Sequence, residues 1–547
     1  MIEYYTVIEF VTYLFIVIMA RHAVFRGRFM MHMFQQSGYK LNKFGSWLRK
    51  NWSLYGITVA HAAFNLVLLF LLLYLENHLT STASVIILTI FAAFWFGKVK
   101  TYRREEVKKP LVFTPRMKRL AAFFVLLTLP LPLYGMNWAF NTGIYFPDIY
   151  ILGFTWIIAD LLLPLILIVA AFIVQPLERR IQNSFIRKAK DKLANMADLK
   201  IIAITGSYGK TSTKFALKTI LQERFNVCAT PGSYNTPMGI CKVINNDLQA
   251  SHQILILEMG ARYESNIDEL CEIASPDVAV LTNIGIAHLE TFGSIDAIAR
   301  TKGSMLKHLN EGGTAVLNAD DERVMKLPTY DARKIITAGL QNGDLQADDI
   351  TYDSNGCSFL VMDHQSGESV KVQTALLGAH NIQNIVQSMA VGKVFGLRLK
   401  TMALALSRME PVEHRMELKN QNGIVVIDDA FNSNPIGARN AIDTLSKFEG
   451  GRKILITPGM IELGDREDEE NRELGRFIGR KDLDKIYLVG EKQTAALREG
   501  LEDSGYDNSR FEVVESLFEA NRKVQEEGEQ GDIVLYENDL PDAYNEP

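Results

Sequence analysis

The sequence predicts an α-helical membrane domain followed by two α/β domains, and three observations carry that prediction. Apolar residues make up 48% of the 547 residues, and their excess lies in the first third of the chain. Beyond it, short apolar runs alternate with helical stretches, which is typical of parallel α/β sheets. The alternation occurs in two series, and a small antiparallel insert at 346–377 lies before the second. We expect a transmembrane domain at 1–174, an amphipathic connector at 175–197 and α/β domains at 198–411 and 412–547.

The membrane domain is predicted from apolar segments that approach or exceed the length needed to cross the roughly 30 Å hydrocarbon core of a bilayer. Five such segments lie at 4–20, 56–75, 83–97, 120–136 and 151–174. The third and fourth are short, so each is a tilted span, a re-entrant segment or part of a hairpin. The first segment has an acidic start and lacks a basic flank before it, which argues against a cleaved signal peptide.

Charged residues between these segments predict the orientation. The loops at 21–50 and 98–119 are rich in Lys and Arg, whereas 76–82 and 137–148 contain neither. By the positive-inside rule the N-terminus lies outside, and the basic loops and everything after the fifth span are cytoplasmic. We therefore expect a multi-pass protein of a bacterial-type cell membrane. Asp160 lies inside the fifth span, where a carboxylate is costly in lipid, so it should face protein or a polar path.

The stretch AITGSYGKTSTK has the outline of a phosphate-binding loop between a strand and a helix. Gly206 and Gly209 let the backbone curl so that consecutive N–H groups point at an anion. Lys210 would neutralise the terminal phosphates, and Thr211 would offer its hydroxyl to Mg²⁺. The full Walker pattern requires glycine where Ile204 stands, so a chance match in an ordinary strand-turn-helix remains the alternative.

Further motifs follow this loop in a fixed order. They are TPGSYNTPMG, ILEMGARYESNIDEL, VLTNIGIAHLETFGSIDAIARTKGSML, LNADD, GAHNIQNIVQSMA and VIDDAFNSNPIGARNAIDTL. The series closely resembles the Mur ligase family, and within it the branch that adds D-Ala-D-Ala to the peptidoglycan precursor. The resemblance covers roughly residues 195 to 540. It implies a Mur-ligase-type P-loop ATP domain followed by a Rossmann-like C-terminal ligase domain.

The resemblance also implies a reaction, that of an ATP-dependent carbon–nitrogen ligase joining an acid to an amino acid. Such ligases use ATP and Mg²⁺ to phosphorylate a substrate carboxylate, and an incoming amine then attacks the acyl phosphate to form an amide. Negative charge develops in both steps, so cations are expected around the phosphate loop.

Residue roles are carried over from the family motifs. The implied catalytic residues are Lys210, His288, Lys302 and Arg415. The implied metal ligands are Thr211, Glu258, His288 and Lys302. The implied nucleotide contacts are Gly206, Ser207, Gly209, Lys210, Thr211, Ser212, Asn283, Asn318, Arg415 and Asp429. The implied substrate contacts are Asn235, Thr236, Asn432 and Asn434. Lys302 aligns with a lysine that many family members carbamylate, and a plain lysine in an ion pair on a helix is the open alternative.

Two departures from the family lie on the substrate side. The domain that grips the UDP-sugar is missing and a membrane domain stands in its place, while VLYENDLPDAY replaces an expected cluster of lysine, glycine and serine near the C-terminus. We therefore expect a membrane-bound ligase of cell-envelope biosynthesis, working at the cytoplasmic face. Its expected partners are a lipid-linked or membrane-anchored carboxylate, an amino acid or short peptide as the amine, and other cell-envelope biosynthesis proteins. No nucleic-acid partner is expected.

Other functions stay open at this stage. A phosphate loop behind membrane spans also suits an ATP-driven transporter or flippase component, and a nucleotide-binding scaffold needs no turnover at all. Among ligases, a poly-γ-amide synthase remains possible. The stretch MMHMFQQSGYKLNKFGSWLRK mixes aromatic and basic residues, as expected of either a plain interfacial anchor or a contact to a lipid headgroup.

Overall fold

The computed structural model describes residues 2–51, 111–141, 146–232, 234–286, 289–330, 332, 334–410, 416–421, 423–430, 435–461 and 466–538. The chain divides into two compact units, Met1–Asn183 and Ser184–Pro547. The first unit is helical in its described part, and the second contains two β-sheets with their covering helices.

Long helices build the N-terminal unit. The described ones are α1 (Ile2–Gln36), α2 (Leu41–Lys50), α3 (Pro115–Thr128), α4 (Pro130–Asn141) and α5 (Phe146–Ala194). Two helical stretches of the described residues are long and apolar enough to cross a membrane, Pro115–Trp138 and Phe154–Ala194. They contain or overlap the expected spans at 120–136 and 151–174. The expected spans at 56–75 and 83–97 lie outside the described residues, so the five-span domain stays a prediction.

The end of α1 differs from the sequence-based expectation. Residues 21–36, which were assigned to a loop, continue the helix to Gln36. The helix stops where Gly38 and Tyr39 adopt positive φ angles of 66° and 59°. Tyr39 N donates to Phe34 O at 3.1 Å and Gly38 N donates to Gln35 O at 2.9 Å, a left-handed helix ending. The basic residues after position 20 suggested a loop, but the helix ends only where Gly38 allows the backbone a positive φ angle.

The expected connector at 175–197 is not a separate element. Helix α5 runs for 49 residues with Pro164 and Pro176 inside it. A proline removes one backbone hydrogen bond, but the residues after Pro176 are good helix formers and the helix continues to Ala194. The connector is therefore helical, as its sequence predicts, and belongs to the same helix as the fifth span.

Asp160 of α5 is buried against α1. Its carboxylate forms an ion pair with Arg26, whose Nη1 also donates to the Asp160 carbonyl oxygen at 2.6 Å. His22 Nδ1 lies 3.2 Å from Asp160 Oδ1, and the three side chains are at most 3% exposed. The expectation that Asp160 faces protein is confirmed, since the carboxylate is enclosed by side chains that compensate its charge.

Nine described strands form the first sheet of the second unit. They are β1 (Lys200–Thr205), β2 (Val227–Ala229), β3 (Ile254–Glu258), β4 (Val278–Leu281), β5 (Thr314–Asn318), β6 (Lys334–Gly339), β7 (Leu345–Asp353), β8 (Gly356–Asp363) and β9 (Ser369–Thr374). Their order is β2-β3-β1-β4-β5-β6-β7-β8-β9. The strands up to β6 pair in parallel, whereas β7, β8 and β9 pair antiparallel. The expected antiparallel insert is confirmed, and it extends the parallel sheet.

Helices cover both faces of this sheet. They are α6 (Lys210–Leu221), α7 (Pro237–Asn246), α8 (Asn266–Ile273), α9 (Leu289–Phe292), α10 (Ile295–Lys307), α11 (Glu322–Met325), α12 (Ala379–Val394) and α13 (Leu399–Leu406). On β1, Ile202 and Ile204 belong to the core under α6 and α12, whereas Ile201 and Ala203 belong to the core under α7 and α10. Alternate side chains of a strand point to opposite faces, so a strand buried on both sides reads as a continuous apolar run.

The second sheet has six described strands, β10 (Glu417–Gln421), β11 (Ile424–Asp429), β12 (Lys453–Thr457), β13 (Lys485–Val489), β14 (Phe511–Val514) and β15 (Ile533–Glu537). Their order is β10-β11-β15-β12-β13-β14, and β10 is an antiparallel edge strand. Its helices are α14 (Pro435–Ser446), α15 (Glu467–Ile478), α16 (Ala495–Asp503) and α17 (Leu517–Glu527). The two expected α/β domains are thus confirmed as folds, and the short strands β2, β6, β10 and β14 were not expected.

Candidate active site

The predicted phosphate loop lies between the end of β1 at Thr205 and the start of α6 at Lys210. Two glycines allow its shape. Gly209 has a φ of 80°, and a Cβ there would lie 2.5 Å from Asn384 Oδ1. Gly206 also has a positive φ, and a Cβ there would overlap the Thr282 hydroxyl. Any larger residue at either position would open the loop, since L side chains avoid this backbone region.

The loop after β4 braces this turn. Ser207 N donates to Asn283 O at 2.9 Å, and Tyr208 N donates to Asn283 Oδ1 at 2.9 Å. The Thr282 hydroxyl donates to Tyr208 O at 2.6 Å, and Ser207 Oγ exchanges hydrogen bonds with the backbone of Gly285. Asn283, which was expected to contact the nucleotide, thus bonds the backbone of the phosphate loop.

Two ammonium groups meet at the start of the loop, that of the partly buried Lys210 and that of the buried Lys302. Lys210 Nζ donates to Gly206 O at 2.8 Å, and Lys302 Nζ donates to the same oxygen at 3.0 Å. Burial lowers the pKa of Lys210. Burial and repulsion from Lys210 together lower the pKa of Lys302 to about 7. The two lysines attract an anion, because an anion would offset both the desolvation and the mutual repulsion.

The alternative for Lys302 is a plain lysine in an ion pair on a helix. In the described part of the chain its ammonium forms no ion pair and bonds the Gly206 carbonyl. The side chain is 3% exposed and projects from α10 under the phosphate loop. This environment differs from a surface ion pair, and carbamylation of Lys302 stays a prediction.

Glu258, at the end of β3, collects donors from two neighbouring elements. Its Oε2 accepts from the Thr211 hydroxyl at 3.0 Å and from Lys214 Nζ at 3.1 Å, and its Oε1 accepts from Asn235 Nδ2 at 3.1 Å. Carboxylate and hydroxyl oxygens are the ligands that Mg²⁺ takes in phosphate sites. Glu258 and Thr211 therefore fit the predicted metal site. Lys214, which sequence reasoning missed, is fully buried and balances the carboxylate.

These residues open onto a cavity of about 710 Å³. The expected site residues that line it are Ser207, Gly209, Lys210, Thr211, Ser212, Asn235, Glu258, Asn283, Asn318 and Asp429. Gly206 belongs to the loop, and its carbonyl oxygen accepts a bond from Lys302, which is not a lining residue. His288, Arg415, Asn432 and Asn434 lie outside the described residues. The structure thus brings most of the expected residues together, although their roles remain predictions.

Two expected ligand contacts have structural bonds of their own. Thr236 Oγ1 accepts from Gly239 N at 3.3 Å, so the side chain caps α7. Asn318 Nδ2 donates to Thr282 O at 2.7 Å, and its Oδ1 accepts from Asp320 N at 3.0 Å. Thr236 does not line the cavity, whereas Asn318 does. Capping of α7 accounts for the position of the Thr236 side chain without a substrate contact.

Other lining residues were not assigned roles from the sequence. They are Tyr208, Asp320, Leu340, Gln341, Leu376, Ala379, His380, Asn381, Gln383, Asn384, Met416, Gly437 and Asn440. The residues from 379 to 384 belong to the motif GAHNIQNIVQSMA and start α12. Burial lowers the pKa of His380 to about 4, so its imidazole is neutral at physiological pH. The motif GAHNIQNIVQSMA indicated that this segment is functional, but only the fold shows that its side chains line the cavity beside the phosphate loop.

The C-terminal domain contributes an acidic strand edge. Asp429 of β11 and Glu537 of β15 are paired positions on adjacent parallel strands. Asp429 Oδ1 accepts from Met416 N at 3.0 Å, and Glu537 Oε2 accepts from the Thr457 hydroxyl at 2.6 Å. Burial, together with the nearby Asp429, raises the pKa of Glu537 to about 8. Glu537 is therefore mostly protonated at neutral pH.

Comparison with known families matches both sheet domains. The Mur ligase middle domain family matches residues 204–392, and the Mur ligase glutamate ligase domain family matches residues 414–536. The cavity is lined from both matched segments.

Relatives with similar sequences carry one name. The UDP-N-acetylmuramoyl-tripeptide–D-alanyl-D-alanine ligase of Bacillus subtilis is 30% identical over 341 residues, which are 62% of this chain and 72% of the relative. The ligase of the same name from Mycobacterium tuberculosis is 35% identical over 302 residues, which are 53% of this chain and 58% of the relative.

Solved structures give the same result. MurF from Acinetobacter baumannii is 28% identical with a TM-score of 0.57, over 65% of this chain and 77% of that chain. MurF ligase from Thermotoga maritima in complex with ADP is 29% identical with a TM-score of 0.56, over 65% of this chain and 80% of that chain. With the phosphate loop and its lysines in place, the chain belongs to the Mur ligase family and is an ATP-dependent carbon–nitrogen ligase of the Mur type.

Proposed function

We propose that the protein is a membrane-bound ligase that joins an amino acid or short peptide to a membrane-anchored or lipid-linked carboxylate at the cytoplasmic face. One observation carries the ATP-dependent part, the convergence of Lys210 and Lys302 on one carbonyl oxygen at the base of the phosphate loop. Such a cradle suits a polyphosphate, because a phosphate chain would compensate both cations at once.

In the first step of the proposed reaction, a carboxylate oxygen of the acceptor attacks the γ-phosphorus of ATP. The bond to the β-phosphate oxygen breaks, ADP leaves, and an acyl phosphate remains. Lys210 and the loop N–H groups hold the phosphates, while Glu258 and Thr211 would hold Mg²⁺, which neutralises phosphate charge when bound. Lys214 Nζ donates to Glu258 Oε2 and holds the carboxylate in place beside the cavity.

In the second step, the amine nitrogen attacks the acyl carbon. The carbon–oxygen bond to phosphate breaks, inorganic phosphate leaves, and the nitrogen gives up one proton as the amide forms. Negative charge grows on the acyl and phosphate oxygens during the attack, so cations fixed beforehand lower the barrier. Asn235 and Asp429 line the cavity from the two α/β domains. The proposed contacts to the joined substrates are Asn235, Asn432 and Asn434, and Asp429 and Arg415 are proposed to contact the nucleotide.

Contacts inside the N-terminal unit support the proposed topology. Gln35 exchanges two hydrogen bonds with the backbone of Val112, at 2.8 and 3.0 Å, which joins the end of α1 to the segment before α3. Arg119 bonds Glu178 at 2.6 and 2.9 Å, which joins α3 to α5 beyond the fifth span. Five spans with the N-terminus outside require these three segments to share the cytoplasmic side. We retain the boundaries 1–174, 175–197, 198–411 and 412–547 as part of this proposal.

The acceptor is proposed to be membrane-anchored because both family matches begin after residue 203. The relatives are named for UDP-N-acetylmuramoyl-tripeptide, a nucleotide-linked substrate. Here the residues before the match supply apolar helices. A membrane domain that holds the acceptor would replace a nucleotide-sugar site while leaving the ATP chemistry unchanged.

The decisive experiment compares lipid extracts by mass spectrometry from cells with the protein, without it, and with Lys210→Ala. We expect a lipid whose mass rises by one amino acid or one dipeptide, only when the intact protein is present. A ladder of additions would instead identify a polyamide synthase. Identical extracts, combined with ADP release that no acceptor stimulates, would contradict the proposed ligase.

A shortened chain tests the role of the membrane domain. A fragment beginning near Gln175 should bind ATP and Mg²⁺ but fail to ligate the native acceptor in micelles. Holding two reactants in place supplies effective molarities of about 10⁵ M or more in favourable cases, which a dissolved acceptor does not reach. If the fragment ligates as well as the full chain, the membrane domain is only an anchor.

A further inference from the structure

A second cavity, of about 300 Å³, lies inside the N-terminal unit between the end of α1, the starts of α2 and α3 and the middle of α5. Its volume is at the lower end of the range for small-ligand sites. Polar side chains in its wall include Tyr39, Arg116 and Gln175, and apolar ones include Leu120, Ala171 and Val174. The cavity is therefore amphiphilic.

The polar and apolar groups follow one direction along the helices. On α5, Ala171, Val174, Gln175 and Glu178 are spaced as one face of a helix, and the face changes from apolar to polar over two turns. On α3, Arg116 lies one turn before Leu120. Both helices thus place their polar groups toward the end that the topology assigns to the cytoplasm and their apolar groups toward the bilayer.

The wall contains two cations, Lys40 and Arg116, and Glu178 attracts Arg116 without forming an ion pair with it. The guanidinium carbon of Arg116 lies 4.1 Å from the centroid of the Tyr39 ring. The acid of the wall, Glu178, is already engaged by both the Nε and Nη2 atoms of Arg119. Among the described residues Arg116 forms no ion pair, so its planar donors are available for an anion such as a phosphate.

Tyr39 is held in place on both sides. It has a φ of 59°, an unusual value for a residue with a side chain, at the helix ending after Gly38. Its hydroxyl accepts from Gln35 Nε2 at 2.9 Å and lies 3.5 Å from Thr114 Oγ1. The backbone and the hydroxyl together fix the ring beneath Arg116, so the guanidinium has a prepared position.

We propose that this cavity binds the phosphate headgroup of a membrane lipid. Arg116 binds the phosphate, and Leu120, Ala171 and Val174 contact the first part of the lipid chain. The inference rests on the proposed function in its membrane placement, and it deepens that function by naming a phosphate-bearing lipid as the class of molecule that anchors the acceptor. The lipid would then be held on the side of the membrane where the ligase domains act.

The test uses the full chain in a non-ionic detergent, with bound lipid counted by native mass spectrometry. The probe is dioctanoyl phosphatidic acid, and the comparison ligands are dioctanoylglycerol and inorganic phosphate. We expect one saturable phosphatidate per chain and weak binding of the comparison ligands. Arg116→Gln should weaken phosphatidate binding about tenfold or more, since it removes a charge-assisted bond to phosphate.

Lys118→Gln is the matched control, because Lys118 is an exposed cation on the same helix. It should leave binding within about twofold, as expected for an exposed charge. Ala171→Phe is a second variant, which fills the cavity with every charge retained and should also weaken phosphatidate binding. Melting temperatures of the variants show whether each one is folded.

Three results would overturn the inference. They are an equal loss in Lys118→Gln, binding of dioctanoylglycerol as tight as that of phosphatidate, and displacement of phosphatidate by inorganic phosphate at equal concentration. The proposed function fails separately. Lipid extracts that gain mass normally with Arg116→Gln would remove this site and keep the ligase. Phosphatidate bound through Arg116 without any lipid product would keep the site and remove the proposed acceptor.

Discussion

The carboxyl edges of the two sheets carry ionisable groups of opposite type, lysines at the first edge and carboxyl groups at the second. At the edge of the first sheet, Lys210 and Lys302 converge on the Gly206 carbonyl, and their pKa values are lowered. At the edge of the second sheet, Asp429 and Glu537 lie on adjacent strands, and the pKa of Glu537 is raised to about 8. At each edge burial shifts a pKa toward the neutral form, that of Lys302 at the first edge and that of Glu537 at the second.

The difference between the edges lies in what neutralises them. The cationic edge needs an anion from outside, so it is suited to a phosphate ligand. The acidic edge takes up a proton on Glu537, whose carboxyl group accepts from the Thr457 hydroxyl. By contrast, the buried pair of Lys214 and Glu258 is balanced internally. The large pKa shifts of Lys302 and Glu537 thus indicate which groups are expected to respond to a ligand or to pH.

The largest effect is expected at the cationic edge. Lys210→Ala should lower the rate of ATP-dependent ligation by about 10³-fold, because one fixed charge on the phosphates is lost. Lys218→Ala, on the same helix and away from the loop, is the control. The measurement is ADP release by membranes that contain equal amounts of each variant. Normal turnover in Lys210→Ala would show that the loop is not a phosphate site.

Lys302→Ala should lower the rate by about 10²-fold, a typical loss for one buried charged group of an active site. If Lys302 works as a carbamate, small carboxylates such as formate or acetate should restore part of the activity by occupying the vacated space. Lys210→Ala, measured in the same salts, should show no recovery. An absence of rescue in Lys302→Ala would favour a plain ammonium at this position.

A pH effect on stability is expected at the acidic edge. The pKa of Glu537 rises from 4.5 to about 8 on folding, so its protonated form stabilises the native state. That contribution is complete below pH 4.5 and is lost as the pH rises to about 8, with a slope of up to about 1.4 kcal/mol per pH unit. Glu537→Gln should reduce this loss, measured as melting temperature against pH.

The matched control for Glu537 is Glu491→Gln, which changes an exposed carboxylate of the same domain. It should follow the parent protein at every pH. A Glu537→Gln variant with the same pH dependence as the parent would show that Glu537 is ionised throughout, and that the acidic edge is neutralised by a cation instead.

The smallest effect is expected beside the cationic edge, at a residue without charge. Thr236→Ala should cost about 1 kcal/mol of stability, because α7 loses its N-terminal cap. Ligation rates at saturating substrate should stay within about twofold, since an intact cradle determines the chemistry. Denaturant unfolding and steady-state kinetics check the two parts. A raised KM with unchanged stability would support the substrate contact that the family motif implies.

How far the sequence predicts the structure depends on how local the signal is. The phosphate loop was predictable because a buried strand, two glycines and a helix start occur within twelve residues. The length of α1 was not, since the basic residues after position 20 suggested a loop and the helix ends only at a glycine. Lys214 was missed because its partner Glu258 is 44 residues away in the sequence, and the two side chains meet only when α6 packs beside β3. Glu537 lay in a recognised departure, but its neighbour Asp429 became visible only through strand pairing.

Helix α12 ties the cavity to the first sheet. Gln383 Nε2 donates to Ala338 O and Gln387 Nε2 donates to Leu281 O, each at 2.8 Å, and both side chains are buried. Strand carbonyls thus anchor the helix whose first turns carry His380 and Asn384 to the cavity. Amides in its interior should exchange with deuterium as slowly as those of β4, since opening the helix would strand buried polar groups. The side of the cavity that α12 forms should therefore open no more often than the core of the domain.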